Sequence, residues 1–171
     1  MERVVLSREL RSIGAGAFRD CGLVTLTLDM EVRLGAGAFE GCPLVKVDLG
    51  PAVELGNRAF AGCAMEVLSL WSTKVPDFCF EKCFKLKKVL LKQRTELGEG
   101  CFNGCKQLHE FTWSQVSSVG KRCFEDCGFT SLNISPKTLG AGAFQHCAAL
   151  EHVRLSGLSR TAGSHLYSLI R

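Results

Sequence analysis

The chain has 171 residues, of which 46% are hydrophobic and 22% are charged, and its formal net charge at pH 7 is +4. This composition is that of one ordered globular unit, and the small net charge gives no general indication of nucleic-acid binding. The apolar runs are short and charged residues occur near the first residue, so the sequence predicts neither a membrane span nor a secretory signal.

One motif recurs along the whole chain at intervals of 20 to 22 residues. Its centre is a phenylalanine, and a cysteine follows three residues later in every copy. The phenylalanines are Phe18, Phe39, Phe60, Phe80, Phe102, Phe124 and Phe144, and the cysteines are Cys21, Cys42, Cys63, Cys83, Cys105, Cys127 and Cys147. A period of this length is typical of solenoids, in which each repeat buries its apolar residues against its neighbours.

We take the elements in chain order, treating residues 1–171 as a single repeat domain. Residues 1–12 form a partial repeat, since Val4 and Leu6 match the last two strand positions of a full copy. No N-terminal cap is evident, so self-association through this open stack end is one expectation. Seven full repeats follow at about 13–156, and a degenerate repeat at 157–171 closes the stack.

Each full repeat begins with an apolar residue and a glycine, continues through a short helical or turn segment that carries the phenylalanine, and ends in a strand. The strands are predicted from apolar alternation, as in Leu26-x-Leu28 and Val89-x-Leu91, and aligned copies should form one continuous parallel sheet. In "GAGAF" we expect Gly35 to form the bend and Gly37 to be incidental. The fourth copy has Pro76 in place of the glycine, which predicts a bend in the stack there.

The series apolar-G-x-x-A-F-x-x-C-x-x-L-x-x-L-x-L resembles the BspA-like, treponemal-type leucine-rich repeat, from about Val4 to Tyr167. The resemblance implies an α/β solenoid: a right-handed coil with a parallel β-sheet on one face and short helices or turns on the other. It also implies the binding of other proteins, often in adhesion or surface recognition.

Three chemical interpretations of the motif are disfavoured. A phosphate-binding loop needs a strand, a long helix and a lysine at fixed spacing, and none accompanies "GAGAF". The C-x-x-x-C pairs, such as Cys79 with Cys83, lack the usual zinc spacing and suit packed thiols. Acidic residues such as Glu40 and Glu125 scatter over turn positions that should face solvent. We therefore expect no enzyme, no cofactor and no metal site.

The thiols also bear on location. Free cysteines without a signal peptide favour the cytoplasm, whereas a cell-surface or secreted location is the alternative if the sequence is a piece of a longer precursor.

The candidate site is the outward side of the strands. Val67, Trp71 and Leu90 are apolar where the pattern predicts polar residues, and Lys87, Lys88 and Lys92 surround them. An exposed aromatic among apolar residues with a basic rim is typical of a protein-binding hot spot, here for a partner with an acidic surface. Nucleic acid is disfavoured because a single tryptophan offers no series of stacking platforms. A scaffold or assembly element of a larger complex is the alternative function.

Overall fold

The computed structural model describes residue 4 and residues 6–156. The degenerate repeat predicted at 157–171, and residues 1–3 and 5 of the predicted partial repeat, lie outside the described residues. The protein is a parallel β-solenoid of about seven turns, each centred on one copy of the phenylalanine motif. Each turn has three sides: two β-strands and one non-helical turn segment.

The predicted strands form the first sheet. They are β2 (Thr25–Leu28), β4 (Lys46–Leu49), β6 (Val67–Leu70), β8 (Lys88–Leu91), β10 (Glu110–Phe111), β12 (Ser131–Ile134) and β14 (His152–Leu155). Equivalent residues pair in parallel, as Leu68 with Val89. Strand pairing is interrupted between β4 and β6 and between β10 and β12. The first sheet therefore consists of three segments.

The expectation of one sheet was wrong, because the apolar residues that precede each glycine form a second parallel sheet. Its strands are β1 (Ser12–Ile13), β3 (Val32–Leu34), β5 (Val53–Glu54), β7 (Lys74–Val75), β9 (Thr95–Leu97), β11 (Val116–Val119) and β13 (Thr138–Leu139). Val32 and Leu34 are both buried, so this side also alternates inward and outward residues. Two sheets that share one interior bury more apolar surface per turn than one sheet does.

The expected helices are absent from the described residues, apart from one turn of 3-10 helix at Trp113–Gln115. The α/β description is therefore wrong. The cause is a left-handed backbone conformation two residues before and two residues after every motif phenylalanine, which a right-handed helix cannot contain. These residues are Gly16, Asp20, Gly37, Gly41, Arg58, Gly62, Phe78, Lys82, Gly100, Gly104, Arg122, Asp126, Gly142 and His146.

The alternating conformation makes the turn segments pair with one another; we call these stacked segments the turn side. The N–H of Phe18 donates to the carbonyl of Ala38 in the next turn at 2.8 Å, whereas the N–H of Cys21 donates to Phe18 within its own turn. The same pattern recurs at Phe39, whose N–H donates to Ala59. On this side the inter-turn N–H groups point from each turn to the following one.

The core is built from columns of like residues. The motif phenylalanines stack face to face, with neighbouring ring centroids 5.3 to 5.6 Å apart. The thiol of each later motif cysteine donates to the carbonyl of the phenylalanine one turn before it, as Cys105 to Phe80 at 3.2 Å. This hydrogen bond gives a reason for cysteine at the position, since an aliphatic residue of similar size lacks the donor.

The predicted roles of both glycines were wrong: Gly35 does not form the bend, and Gly37 is not incidental. Gly35 has no left-handed backbone; it is required because a Cβ atom there would lie 2.5 Å from the backbone nitrogen of Ala15 in the preceding turn. Gly37 has φ +62° and occupies a left-handed position that recurs in every turn. The first glycine thus permits close stacking, and the second permits the conformation that replaces a helix.

The fourth copy interrupts the second sheet but not the phenylalanine column, which continues from Phe60 through Phe80 to Phe102; the bend expected from its missing glycine stays a prediction. Pro76 stands at the close-stacking position, and the second sheet is broken between β5 and β7. A groove opens on the surface at this break, lined in part by Pro76 itself.

Candidate interaction surfaces

The outer faces of β6, β8 and β10, which we call the strand-face surface, carry two of the three predicted apolar residues. Val67 is 52% exposed, and its register partner on β8 is Lys88. Leu90 points outward from β8, is half-buried, and pairs with Ser69. Val67 and Leu90 are therefore diagonal neighbours on one side of the sheet, close enough for a single side chain of a partner to contact both.

The lysines of this surface are largely neutralised by the chain itself. The Nζ atom of Lys87 lies 2.9 Å from a carboxylate oxygen of Glu66, and that of Lys88 lies 2.7 Å from Glu110. Hydrogen bonding to these lysines lowers the pKa of both glutamates. Lys92 is exposed at the corner that follows β8. The positive rim expected from the sequence is thus a pattern of alternating charges.

Trp71 does not lie on the same face. It follows β6 at the corner between the two sheets and is 42% exposed. There it lines a groove of about 510 Å³ together with Pro51, Leu55 and Pro76. The structure therefore separates Trp71 from Val67 and Leu90, although the three residues fall close together in the repeat alignment.

A second apolar feature adjoins Leu90 at the break between β10 and β12. A hollow of about 450 Å³ is lined there by Leu90, Phe111 and Trp113, with polar groups from residues such as Asn133 at its rim. The repeat places Trp113 at the last core position of its strand. The strand ends at Phe111, two residues earlier, but the indole still packs on the core, 5.2 Å from Phe124 and from Phe129 between ring centroids.

Sequence reasoning missed three exposed apolar side chains among the described residues: Val45 at 53%, Phe84 at 50% and Val153, at a core position of the repeat, at 39% exposure. Phe84 directly follows its motif cysteine, where the other copies have glycine, proline, alanine or lysine. A large apolar residue in this otherwise small or polar column was the available signal, but the column lies outside the strand face, where the repeat pattern predicts the binding surface.

The turn side carries a ladder of ion pairs. Arg58 donates to Glu40 at 2.7 Å and also binds Glu81, so it bridges the turns on both sides of its own. Glu125 is 5% exposed and binds Arg122 at 2.7 Å, which corrects the expectation that this carboxylate faces solvent. The hydrogen bond from Arg122 lowers the pKa of Glu125. These carboxylates are held as ionised structural groups.

The pKa values of the buried thiols shift in the opposite direction to those of the carboxylates, because burial favours the neutral thiol. All ten cysteines are free, and nine of them are buried. Burial raises the pKa of Cys79 and Cys83 well above the ordinary value, and that of Cys147 to about 11. They are protonated at neutral pH, which disfavours both nucleophilic attack and metal ligation, because each requires the thiolate. Among the described residues no group of three or more histidine, cysteine or acidic side chains is placed to hold a metal.

Within residues 4 and 6–156, no helix has the length and apolar character needed to cross a membrane.

Comparison with models of known protein families gives a match over most of the chain. The profile of the BspA type leucine rich repeat region matches residues 1–72 and 73–169, in six copies. No curated protein matches the chain.

Two solved structures share the fold. A leucine-rich repeat protein from Bacteroides ovatus superposes with a TM-score of 0.67 at 20% identity, over 93% of this chain and 50% of that one. The leucine-rich repeat protein of T. pallidum superposes with a TM-score of 0.53 at 19% identity, over 93% of this chain and 76% of that one. The chain therefore spans half the length of the B. ovatus protein, and at these identities the likeness concerns the fold alone.

Proposed function

The chain belongs to the BspA-type leucine-rich repeat family, and on that premise we propose that it is a non-catalytic module that binds a protein partner through the strand-face surface. The observation that carries the proposal is the outward-facing pair of exposed Val67 and half-buried Leu90, which continues into the hollow lined by Phe111 and Trp113. Adjacent apolar residues with a polar rim are the usual composition of a protein-binding hot spot.

The charges around the apolar residues indicate what kind of partner surface would fit. Lys87 and Lys88 are paired with glutamates of neighbouring turns, so the surface offers both signs of charge around an apolar centre. A partner with an apolar side chain and flanking charges of both signs suits it better than a uniformly acidic one. Lys92 and Trp71 lie at the corner beside this surface and supply its outer rim.

A non-catalytic role is supported by the state of the reactive groups. Burial raises the pKa of Cys79 and Cys83 well above the ordinary value, so these thiols are protonated at neutral pH, and Glu40 and Glu125 are bound by arginines. Neither set provides a nucleophile with an adjacent free base.

The test is affinity capture of the partner from native extract by the wild type and by the variant Val67→Ser/Leu90→Ser. We expect the variant to lose the partner, because both substitutions remove exposed apolar contact without altering the core. The matched control Val45→Ser/Phe84→Ser removes similarly exposed apolar side chains elsewhere and should retain it. Undiminished capture by a Val67→Ser/Leu90→Ser protein whose thermal midpoint equals that of the wild type would contradict the proposal.

Trp71 is tested separately because it lies in the corner groove. Trp71→Ser should weaken capture less than the strand-face double variant does, since the indole contributes only to the rim. Complete loss of the partner with Trp71→Ser alone would place the binding centre in the groove instead.

The alternative is a scaffold or assembly element of a larger complex, which could include self-association of the chain through its N-terminal stack end. Light scattering across a range of concentrations distinguishes the two. A strict monomer that still captures a different protein supports the interaction module.

A further inference from the structure

A hollow of about 440 Å³ lies on the outward face of the second sheet, away from the strand-face surface. Its cations come from three different turns: Lys74 from β7, Arg94 from just before β9, and Lys137 from just before β13. Glu96 is the acidic residue in its lining. Residues far apart in the sequence are thus gathered by the repeat period into one basic surface feature.

The hollow keeps a net positive charge, because its three cations face a single carboxylate, that of Glu96, the register partner of Lys74. Lys74, Arg94 and Lys137 are all exposed, and within the described residues none of them forms an ion pair. Lys87 and Lys88, which belong to the sequence cluster first considered for an acidic partner, are both paired. What distinguishes the hollow is that three cations with no ion pair among the described residues are gathered around one concave feature, where they can attract an acidic ligand together.

A β-bulge gives the hollow its shape. The register of β11 against β9 shifts between Val116 and Ser118, so that Ser117 is an extra residue in its strand. The Ser117 hydroxyl donates to the carbonyl of Thr95 at 2.8 Å and lines the hollow. Bulges of this kind redirect side chains and recur next to binding sites.

We propose that this hollow binds an acidic segment of a protein partner in extended conformation. Lys74 and Lys137 are separated by three strand steps, which corresponds to about 14 Å, or roughly four residues of extended chain. Carboxylates at alternate positions of such a segment point to one side and can reach the three cations together. The span is too long for a single small anion to contact all of them.

The lining favours a peptide over a nucleic acid. Glu96 lies among the cations and repels any anionic ligand, but a peptide offers it a backbone N–H to accept from between two carboxylates, and a phosphate backbone has no such donor. The lining contains no aromatic side chain on which a base could stack.

The experiment measures binding of a short fluorescent peptide with glutamate at alternate positions, by anisotropy at two salt concentrations. The wild type should bind it, more weakly at high salt because the charges are exposed. The variant Lys74→Gln/Arg94→Gln/Lys137→Gln should lose affinity by about tenfold or more. The control Lys82→Gln/Lys85→Gln/Lys121→Gln removes the same charge from exposed positions outside the hollow and should change affinity less than about threefold.

A second readout locates the peptide on the wild-type protein and does not depend on how the variants fold. A carbodiimide joins a carboxylate to a lysine amine with loss of water, so mass spectrometry should find the peptide on Lys74 and Lys137. Equal losses in both triple variants, or crosslinks confined to other lysines, would overturn the proposal. Tighter binding of a single-stranded oligonucleotide than of the peptide, abolished by the hollow variant, would replace the peptide by a nucleic acid.

Discussion

The turn side and the outer face of the first sheet repeat with the same period, but residue types recur from turn to turn on the turn side and vary on the sheet face. Every turn presents phenylalanine, cysteine and two left-handed residues on the turn side. On the first sheet, one outward column reads Thr25, Lys46, Val67, Lys88, Glu110, Ser131 and His152. Stacking fixes the first set because each residue contacts its own equivalent, whereas solvent-facing residues are free to carry specificity.

The largest expected difference between the turn side and the first sheet is the loss of stability on substitution in the phenylalanine column. Phe80 is fully buried and stacks on Phe60 and Phe102. Phe80→Ala should lower the free energy of unfolding by about 3–5 kcal/mol, because it leaves a cavity between two rings. Val67→Ser on the strand face should change it by less than about 0.5 kcal/mol. Urea denaturation followed by circular dichroism measures both, and similar losses would remove the contrast.

The next contrast compares a buried and an exposed carboxylate. Glu125→Gln should cost about 2 kcal/mol at pH 7, because charged hydrogen bonds to Arg122 are lost. Glu110→Gln, which alters an exposed pair with Lys88, should leave the thermal midpoint unchanged.

The pH dependence of the same pair has a definite sign. Since the pKa of Glu125 is lowered in the folded protein, its stabilisation is full above the ordinary carboxyl pKa and is lost as the pH falls through the folded-state value. The unfolding free energies of the wild type and Glu125→Gln should therefore begin to converge as the pH falls below the ordinary carboxyl value of about 4.5, and should become similar only below the folded-state pKa. A difference that persists unchanged to lower pH would show that the ion pair is not its source.

A smaller loss of stability is expected when cysteines of the turn side are replaced by alanine. Cys105→Ala removes the S–H donor to the carbonyl of Phe80 and should cost about 1 kcal/mol. Cys79→Ala should cost less, because alanine occupies the equivalent position in other turns, as Ala38 and Ala59 do. Chemical denaturation of both variants decides whether the hydrogen bond or the volume of the thiol matters.

The smallest predicted effect is a gain in stability, on replacing a non-glycine residue at a left-handed position by glycine. Lys82 has φ +56°, in a column that holds Gly62 and Gly104 in the flanking turns. Lys82→Gly should raise stability by roughly 0.5 kcal/mol, because the relief of left-handed strain exceeds the entropy cost of glycine. Lys85→Gly, at a position without positive φ, should lower stability. A thermal midpoint that falls in both variants would show that the strain is compensated.

The period of the chain predicted the columns that stack on themselves. Phe39 and Cys42 recur at fixed spacing because each contacts its equivalents in the neighbouring turns, so the sequence carries the signal directly. The second sheet was missed although Val32-x-Leu34 and Thr95-x-Leu97 show strand alternation, because these residues were assigned to the start of the bend.

The left-handed positions were hidden for a different reason. Arg58, Phe78 and Arg122 occupy them in three turns, so the column does not look like a glycine position. There the hydrogen bonds between turns, such as Arg58 N–H to Asp77, outweigh the local preference of the residue. The pairing of Lys87 with Glu66 also depends on contact across turns, which the spacing of charges along the chain does not reveal.

The turn-side ladder gives the solenoid a polarity. Since Phe18 donates to Ala38 and Phe124 donates to Ala143, the aligned peptide groups present carbonyls such as that of Ala17 towards one end and N–H groups such as that of Phe144 towards the other. Like a helix dipole, this arrangement makes the two ends chemically different. A second copy could continue the ladder only head to tail, because a head-to-head contact would set acceptors against acceptors.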